Sequence, residues 1–243
     1  MTPKVNTADF ASAAIRIVLF DLAGTTVRDG KPGESLVVRA LGETVRAAGA
    51  VVPEDELVAE RGRDHERAIR ELLRKWRPSV AVTDAEVEAL FAALNGRLLG
   101  QVGEMTEVPG AAATFRFLQG QGVRVGVGSG FPRSLIEAVV MHLGWREQGL
   151  LDYMESTGTI GAGRPDPGMI RDIMRRFGIA DPRQVLKVGD TVVDVQEGRN
   201  AGAWTVSVLT GTQGRAALEA ARPDFILDSV AELPTLFGKL GGA

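Results

Sequence analysis

Five short runs rich in β-branched residues constrain the fold of this chain more than any other feature: IRIVLF (15–20), VRVGVGS (123–129), QVLKVGD (184–190), WTVSVL (204–209) and DFIL (224–227). Runs of this length and composition predict buried strands. Helical patterns, among them PRSLIEAVVMHLG, PGMIRDIMRRFG and SVAELPTLFGKL, lie between or after the later runs. Strands alternating with helices predict parallel pairing and an α/β sheet covered on both faces. Ligands of such sheets bind beyond the carboxyl ends of the strands. Asp21, Ser129 and Asp190 each stand at one of those ends.

The region 30–105 has a different period. Val37, Leu41, Val45 and Ala48 form one helical stripe, and Val87, Leu90, Phe91, Leu94 and Leu98 form another. TDAE (83–86) has the form of a capping box that starts the second of these helices. VRDGKPG and GEMTEVPG, rich in glycine and proline, connect this region to the rest. The expected organisation is an α/β core of residues 1–29 and 106–243, carrying an all-helical insertion of residues 30–105.

Composition narrows the function classes. A net charge of −3 gives no basic footprint for nucleic acid and no polybasic membrane patch. There are no cysteines, which removes disulfides and thiolate metal sites and suits a reducing cytoplasm. The apolar run before Asp21 is short, contains Arg16, and lacks the form of an export signal. No stretch reaches the roughly 18–20 apolar residues that span a bilayer. Neither a Walker loop nor Gly-x-Gly-x-x-Gly after a strand is present. The reading is a soluble, cytoplasmic protein with a small-molecule partner, binding neither nucleic acid nor membrane.

Four stretches carry chemistry. A carboxylate at a strand end beside a glycine–threonine turn, Asp21 with Gly24 and Thr25, is placed to attack phosphorus and become an aspartyl phosphate. Phosphoryl transfer needs the equatorial oxygens neutralised. Ser129 and Gly130 offer a hydroxyl and backbone N–H groups near a helix start. Arg164 in GAGRPDP offers a guanidinium fork. Asp190 and Asp194 in VGDTVVD offer oxygens to a hard cation such as Mg²⁺.

With DLAGTTV (21–27), GRPDP (163–167) and KVGDTVVDVQEGRNAGAWTVSV (187–208) in order, the chain resembles the haloacid dehalogenase superfamily, and within it the phosphonoacetaldehyde hydrolases, or phosphonatases. The resemblance implies a Rossmann-like core with a helical cap inserted after the first strand. It implies Asp21 as nucleophile and Mg²⁺ ligand, the Ala23 carbonyl and Asp190 as further ligands, and Asp194 behind them. It gives Ser129 and Arg164 to the transferring group, with Arg133 of GFPR as a phosphonate contact. Some relatives dimerise through the cap, so a homodimer is among the expectations.

Two residues depart from the superfamily's pattern. Ala23 replaces the aspartate that protonates the leaving alcohol in the phosphatases. Phosphonatases tolerate that loss because a cap lysine forms a Schiff base with the substrate aldehyde. In RGRDHERAIRELL (61–73), Gly62 aligns with the family's glycine and His65 with that lysine. Lys75 lies about ten residues further on, roughly 15 Å along a helix. Three readings stand: a Mg²⁺-dependent phosphonatase-like hydrolase, a phosphate monoesterase using His65 as acid–base, and a non-catalytic phosphate-binding regulator. A receiver domain fits neither the length nor the insertion.

Overall fold

The computed structural model describes residues 10, 14–31, 34–161 and 163–241. Most of the N-terminal segment weighed against an export signal, residues 32–33 of the first connector and residue 162 of GAGRPDP lie outside the described residues. Six strands form one parallel sheet: β1 (Ile17–Phe20), β4 (Arg124–Ser129), β5 (Tyr153–Ser156), β6 (Val185–Gly189), β7 (Trp204–Val208) and β8 (Phe225–Leu227). Their spatial order is β5-β4-β1-β6-β7-β8, with register Phe20↔Val127 on one side of β1 and Phe20↔Val188 on the other. From β1 the chain fills one side of the sheet with β4 and β5, then returns to fill the other. The ends of β1, β4 and β6 therefore meet at a topological switch point.

β1 is buried on both faces, which explains its unbroken apolar run. Ile17 and Leu19 face a cluster with Tyr153, Met169, Ile170 and Ile173. Val18 and Phe20 face the larger core, where the rings of Phe20, Phe115 and Trp145 stack edge to face at centroid distances of 5.0 and 5.1 Å. The helices that cover the faces include α5 (Ala111–Gly120), α6 (Arg133–His142), α8 (Gly168–Arg176) and α9 (Val192–Ala201). α7 (Thr157–Ile160) is one short turn after β5.

Three strands and one helix depart from the sequence pattern. β5, reading YMES, is too polar for an apolar run, yet Glu155 within it is buried because it pairs with Arg133. β2 (Val27–Arg28) and β3 (Thr106–Glu107) form a two-residue antiparallel pair, too short to leave a period. Between β2 and β3, the described residues form α1 (Leu36–Ala47), α2 (Glu54–Ala59), α3 (His65–Trp76) and α4 (Asp84–Gly100). α2 was not evident in the sequence.

The insertion folds on its two stripes. Val37, Leu41 and Val45 of α1 and Val87, Leu94 and Leu98 of α4 are buried in the same core, with Ala48, Leu90 and Phe91 half-buried against it. The Thr83 side chain caps α4 by accepting from the Glu86 backbone N–H. The capping box is only half formed, because the Glu86 carboxylate turns to the Arg77 guanidinium at 2.6 and 2.8 Å. α3 starts at Asp64, whose side chain accepts from the Arg67 N–H at 3.0 Å, and buries Ala68, Ile69, Leu72 and Leu73 on one face. That cap fixes His65 at the first helical position, turned inward.

Candidate active site

The three strand ends each deliver one polar residue. Asp21 follows β1, its N–H donating to the Val188 carbonyl at 2.9 Å. The chain then turns back tightly: the Val27 N–H donates to the Leu22 carbonyl at 2.9 Å, and the Thr26 hydroxyl to the Asp21 carbonyl at 2.9 Å. Asp190 follows β6, and Thr191 with Asp194 closes a capping box that opens α9. A Cβ at Gly24, where φ is +92°, or at Gly211 would overlap the Asp190 carboxylate. These glycines let the backbone close around the acid from two loops.

Asp21, Asp190 and Asp194 each place a carboxylate oxygen within 4.8 Å of the others, and all three are buried. Arg164 donates through Nη1 to Asp21 Oδ1 at 2.8 Å and to Asp194 Oδ1 at 2.7 Å. Lys187 Nζ lies 3.0 Å from Asp194 Oδ1 and 3.3 Å from Glu197 Oε2. Arg61 pairs with Asp29 at 3.1 Å and lies 3.9 Å from Asp190 Oδ2. In this buried network five carboxylates, those of Asp21, Asp29, Asp190, Asp194 and Glu197, face three cationic side chains. The excess of two negative charges matches one divalent cation. Among the described residues, Asp190 Oδ2 has no hydrogen-bond partner, the state expected of an oxygen kept for a hard cation.

The protonation equilibria carry the same imbalance. Burial pushes Asp21 up against the pull of Arg164. It pushes Asp190 to about 7 despite Arg61, with Asp21 adding to the rise. Burial would raise Asp194 too, but Lys187 and Arg164 hold it below the usual carboxylate range. Carboxylates crowded out of water favour the neutral form unless a cation offsets them.

The space in front of Asp21 is about 20 Å³, walled by Ser129, Gly130, Phe131 and Arg164 from the core and by Arg61 and His65 from the insertion. A cleft of about 530 Å³ adjoins it at Gly130 and Phe131. Another, of about 560 Å³, adjoins it at Arg61 and reaches Gly24.

Several expected residues have other partners. The Thr25 hydroxyl donates to Asp190 Oδ1 at 2.8 Å, so it orients a carboxylate instead of standing open to a phosphoryl group. The Gly24 carbonyl accepts from the Thr210 hydroxyl, and Gly24 faces the larger cleft. The Ser129 hydroxyl accepts from the Phe131 N–H at 3.3 Å and stays buried beside Asp21, four residues before α6 begins. Arg133 lies outside the small cavity: Glu137 and Glu155 hold its guanidinium at 3.0 and 3.1 Å, at the edge of the 530 Å³ cleft.

His65 is in the cavity, 6% exposed, its ring 5.6 Å from that of Phe131 and its Nδ1 without a partner among the described residues. Burial lowers its pKa to about 4, with Arg164 and Arg61 opposing Asp64. The imidazole is neutral at pH 7, not poised at neutrality as its ordinary value suggests. Lys75 pairs with Glu56 at 2.7 Å on the exposed side of α3. The cavity lining contains no lysine among the described residues.

Asp29, Arg61, Lys187 and Glu197 were not singled out in the sequence. Lys187 interrupts a buried strand, a position where a lysine requires buried partners. Glu197 follows Asp194 by three residues and so shares its helix face. Those two were recoverable on physical grounds. Asp29 and Arg61 meet only through the packing of the insertion on the core.

Fold and site together define an α/β enzyme of the doubly wound class, with its carboxylates gathered at the switch point. A family model of haloacid dehalogenase-like hydrolases matches residues 15–202, and the chain belongs to that family of hydrolases. The phosphonoacetaldehyde hydrolase of Latilactobacillus sakei is 30% identical to it over 261 aligned residues, covering 93% of this chain and 96% of the relative. That of Bacillus cytotoxicus is 30% identical over 210 residues, covering 82% and 77%. A phosphonoacetaldehyde hydrolase like protein from Oleispira antarctica superposes with a TM-score of 0.78 at 21% identity, covering 94% of this chain and 93% of that one. CbbY from Rhodobacter sphaeroides, in complex with phosphate, superposes with a TM-score of 0.72 at 21% identity, covering 90% and 96%. At those identities the two structures share the fold. Among the described residues, no helix is long and apolar enough to cross a membrane.

Proposed function

We propose that the protein hydrolyses a small phosphorylated or phosphonate metabolite with Mg²⁺, through an aspartyl phosphate on Asp21. Phosphonoacetaldehyde is the favoured substrate. The observation that carries this reading is the pairing of Asp21 Oδ1 with Arg164 beside the unpartnered Asp190 Oδ2. Asp21 attacks phosphorus, the bond from phosphorus to the leaving group breaks, and the departing atom keeps the electron pair and gains a proton. Water then cleaves the acyl phosphate, releasing phosphate and restoring the carboxylate. Arg164, 2% exposed, is placed to neutralise the transferring oxygens, with Ser129 and Gly130 beside it. Mg²⁺, when bound, offsets the charge of the phosphoryl group. Asp21, the Ala23 carbonyl and Asp190 are the residues that would hold it, with Asp194 behind, its Oδ1 already taken by Arg164 and Lys187.

In the same reading, residues 30–105 act as a cap that excludes water from the cavity. The cysteine-free sequence suits a cytoplasmic setting. A second reading, hydrolysis of a small phosphate monoester, is favoured by one observation: among the described residues, no lysine lines the cavity to form a Schiff base. In that reading a bound phosphate dianion raises the pKa of His65, and the imidazolium so formed gives its proton to the leaving oxygen and is left neutral.

Phosphate release is to be measured from phosphonoacetaldehyde and from a panel of small monoesters with Mg²⁺, with Asp21→Asn as the blank. Asp21-dependent release from the phosphonate supports the first reading, and release from monoesters alone supports the second. Release that survives Asp21→Asn overturns both. If His65→Ala leaves monoester turnover unchanged, His65 has no part in the chemistry.

A further inference from the structure

We infer that Arg61, a residue of the helical insertion, competes with a divalent cation for the oxygens of Ala23 and Asp190 and so sets the cation affinity of the site. The inference rests on the reading of Asp21, the Ala23 carbonyl and Asp190 as cation ligands. Arg61 precedes Gly62 in the loop between α2 and α3 and is 4% exposed. Its Nη2 donates to the Ala23 carbonyl at 2.7 Å and lies 3.9 Å from Asp190 Oδ2. These are two of the three ligand oxygens. Its Nη1 donates to Asp29 Oδ2 at 3.1 Å and to the Ser35 hydroxyl.

Mg²⁺ approaches an oxygen ligand to about 2.0–2.1 Å and requires near-ideal octahedral geometry. A guanidinium nitrogen hydrogen-bonded to the same carbonyl lies within a few ångströms of that position. The two positive charges repel each other there, in surroundings that screen poorly. They are alternatives for one set of oxygens. Exchange is feasible because Arg61 need not lose its anchor. The Asp29 carboxylate, fixed by the Ser35 hydroxyl and the Val37 N–H at 3.2 Å, keeps the Nη1 edge while the Nη2 edge swings away. Through Arg61, the position of the insertion and the occupancy of the cation site depend on each other.

The test is calorimetric titration of Mg²⁺ into the full chain without substrate, so that the readout is affinity and not turnover. The proteins compared are wild type, Arg61→Met, Arg61→Lys and the double variant Asp29→Asn/Arg61→Met, which removes both charges of the pair and leaves neither one buried alone. The expected result is binding about tenfold tighter or more in Arg61→Met and the double variant, and within about threefold of wild type in Arg61→Lys. Affinity equal to or weaker than wild type in the double variant overturns the competition while leaving the cation site standing. Failure of every protein to bind Mg²⁺, or binding that survives Asp190→Asn, removes the cation site and the competition with it.

Discussion

Replacing Asp194 by asparagine deletes the charge on which two buried cations converge. Its Oδ1 accepts from Arg164 at 2.7 Å and lies 3.0 Å from Lys187 Nζ, while its Oδ2 accepts from the Thr191 N–H and hydroxyl at 3.1 and 2.5 Å. The Thr191 bonds survive in part, since an amide oxygen still accepts them. The two cations are left to Asp21 and Glu197, buried away from bulk solvent. Breaking a buried ion pair by removing one partner costs about 3–5 kcal/mol. In a chain of this size that lowers the melting temperature by roughly 10 °C.

The pH dependence of that loss carries a sign. Lys187 and Arg164 overcome the effect of burial and hold the Asp194 carboxyl below its ordinary value. Its contribution is therefore present above the unfolded pKa of about 3.9 and is lost as pH falls through the lower folded value. Urea and thermal unfolding of wild type and Asp194→Asn between pH 3 and pH 8, about the usable range for such a series, give the comparison. The gap is expected to be full at neutral pH and to close toward acid. A variant within about 1 kcal/mol of wild type at pH 7, or a gap that widens in acid, would refute the reasoning.

Phe115→Ala, which opens a hole between Phe20 and Trp145, is expected to cost about 3–5 kcal/mol in urea unfolding. Asp190, pushed to about 7, favours folding below its unfolded pKa of about 3.9, and this contribution is lost as pH rises through 7. A cation displaces the same proton, so Mg²⁺ affinity should rise up to about pH 7 and level off above it. Calorimetry in buffers of differing ionisation enthalpy would show the proton released. Lys75→Ala should leave turnover unchanged and cost under about 1 kcal/mol, because its pair with Glu56 is solvent-exposed. Lost turnover with intact folding would mean that this amine reaches the site.

The strands that build the switch point were legible because each is buried on both faces, apolar but for Lys187 in β6 and the exposed Arg124 that opens β4, and runs into a polar residue at its carboxyl end. β5 was not, since Glu155 is buried by a partner, Arg133, that lies 22 positions away in the chain. The carboxylates at the strand ends were legible for the same reason as the strands. Thr25 and Arg133 sit on motifs that point to phosphate, yet packing gives the first to Asp190 and the second to Glu155. Arg61 left no trace in the sequence, because its role depends on how one loop of the insertion meets the turn after β1.

The proposal that Asp21 is the nucleophile is tested most directly by trapping the acyl phosphate. Protein turning over substrate with Mg²⁺ is quenched in acid and treated with borohydride, which reduces an acyl phosphate to an alcohol, and its peptides are analysed by mass spectrometry. The account predicts homoserine at position 21 and at no other aspartate, and none without substrate. An unmodified Asp21 under conditions where phosphate is being released, or homoserine at Asp190 or Asp194 instead, would contradict it.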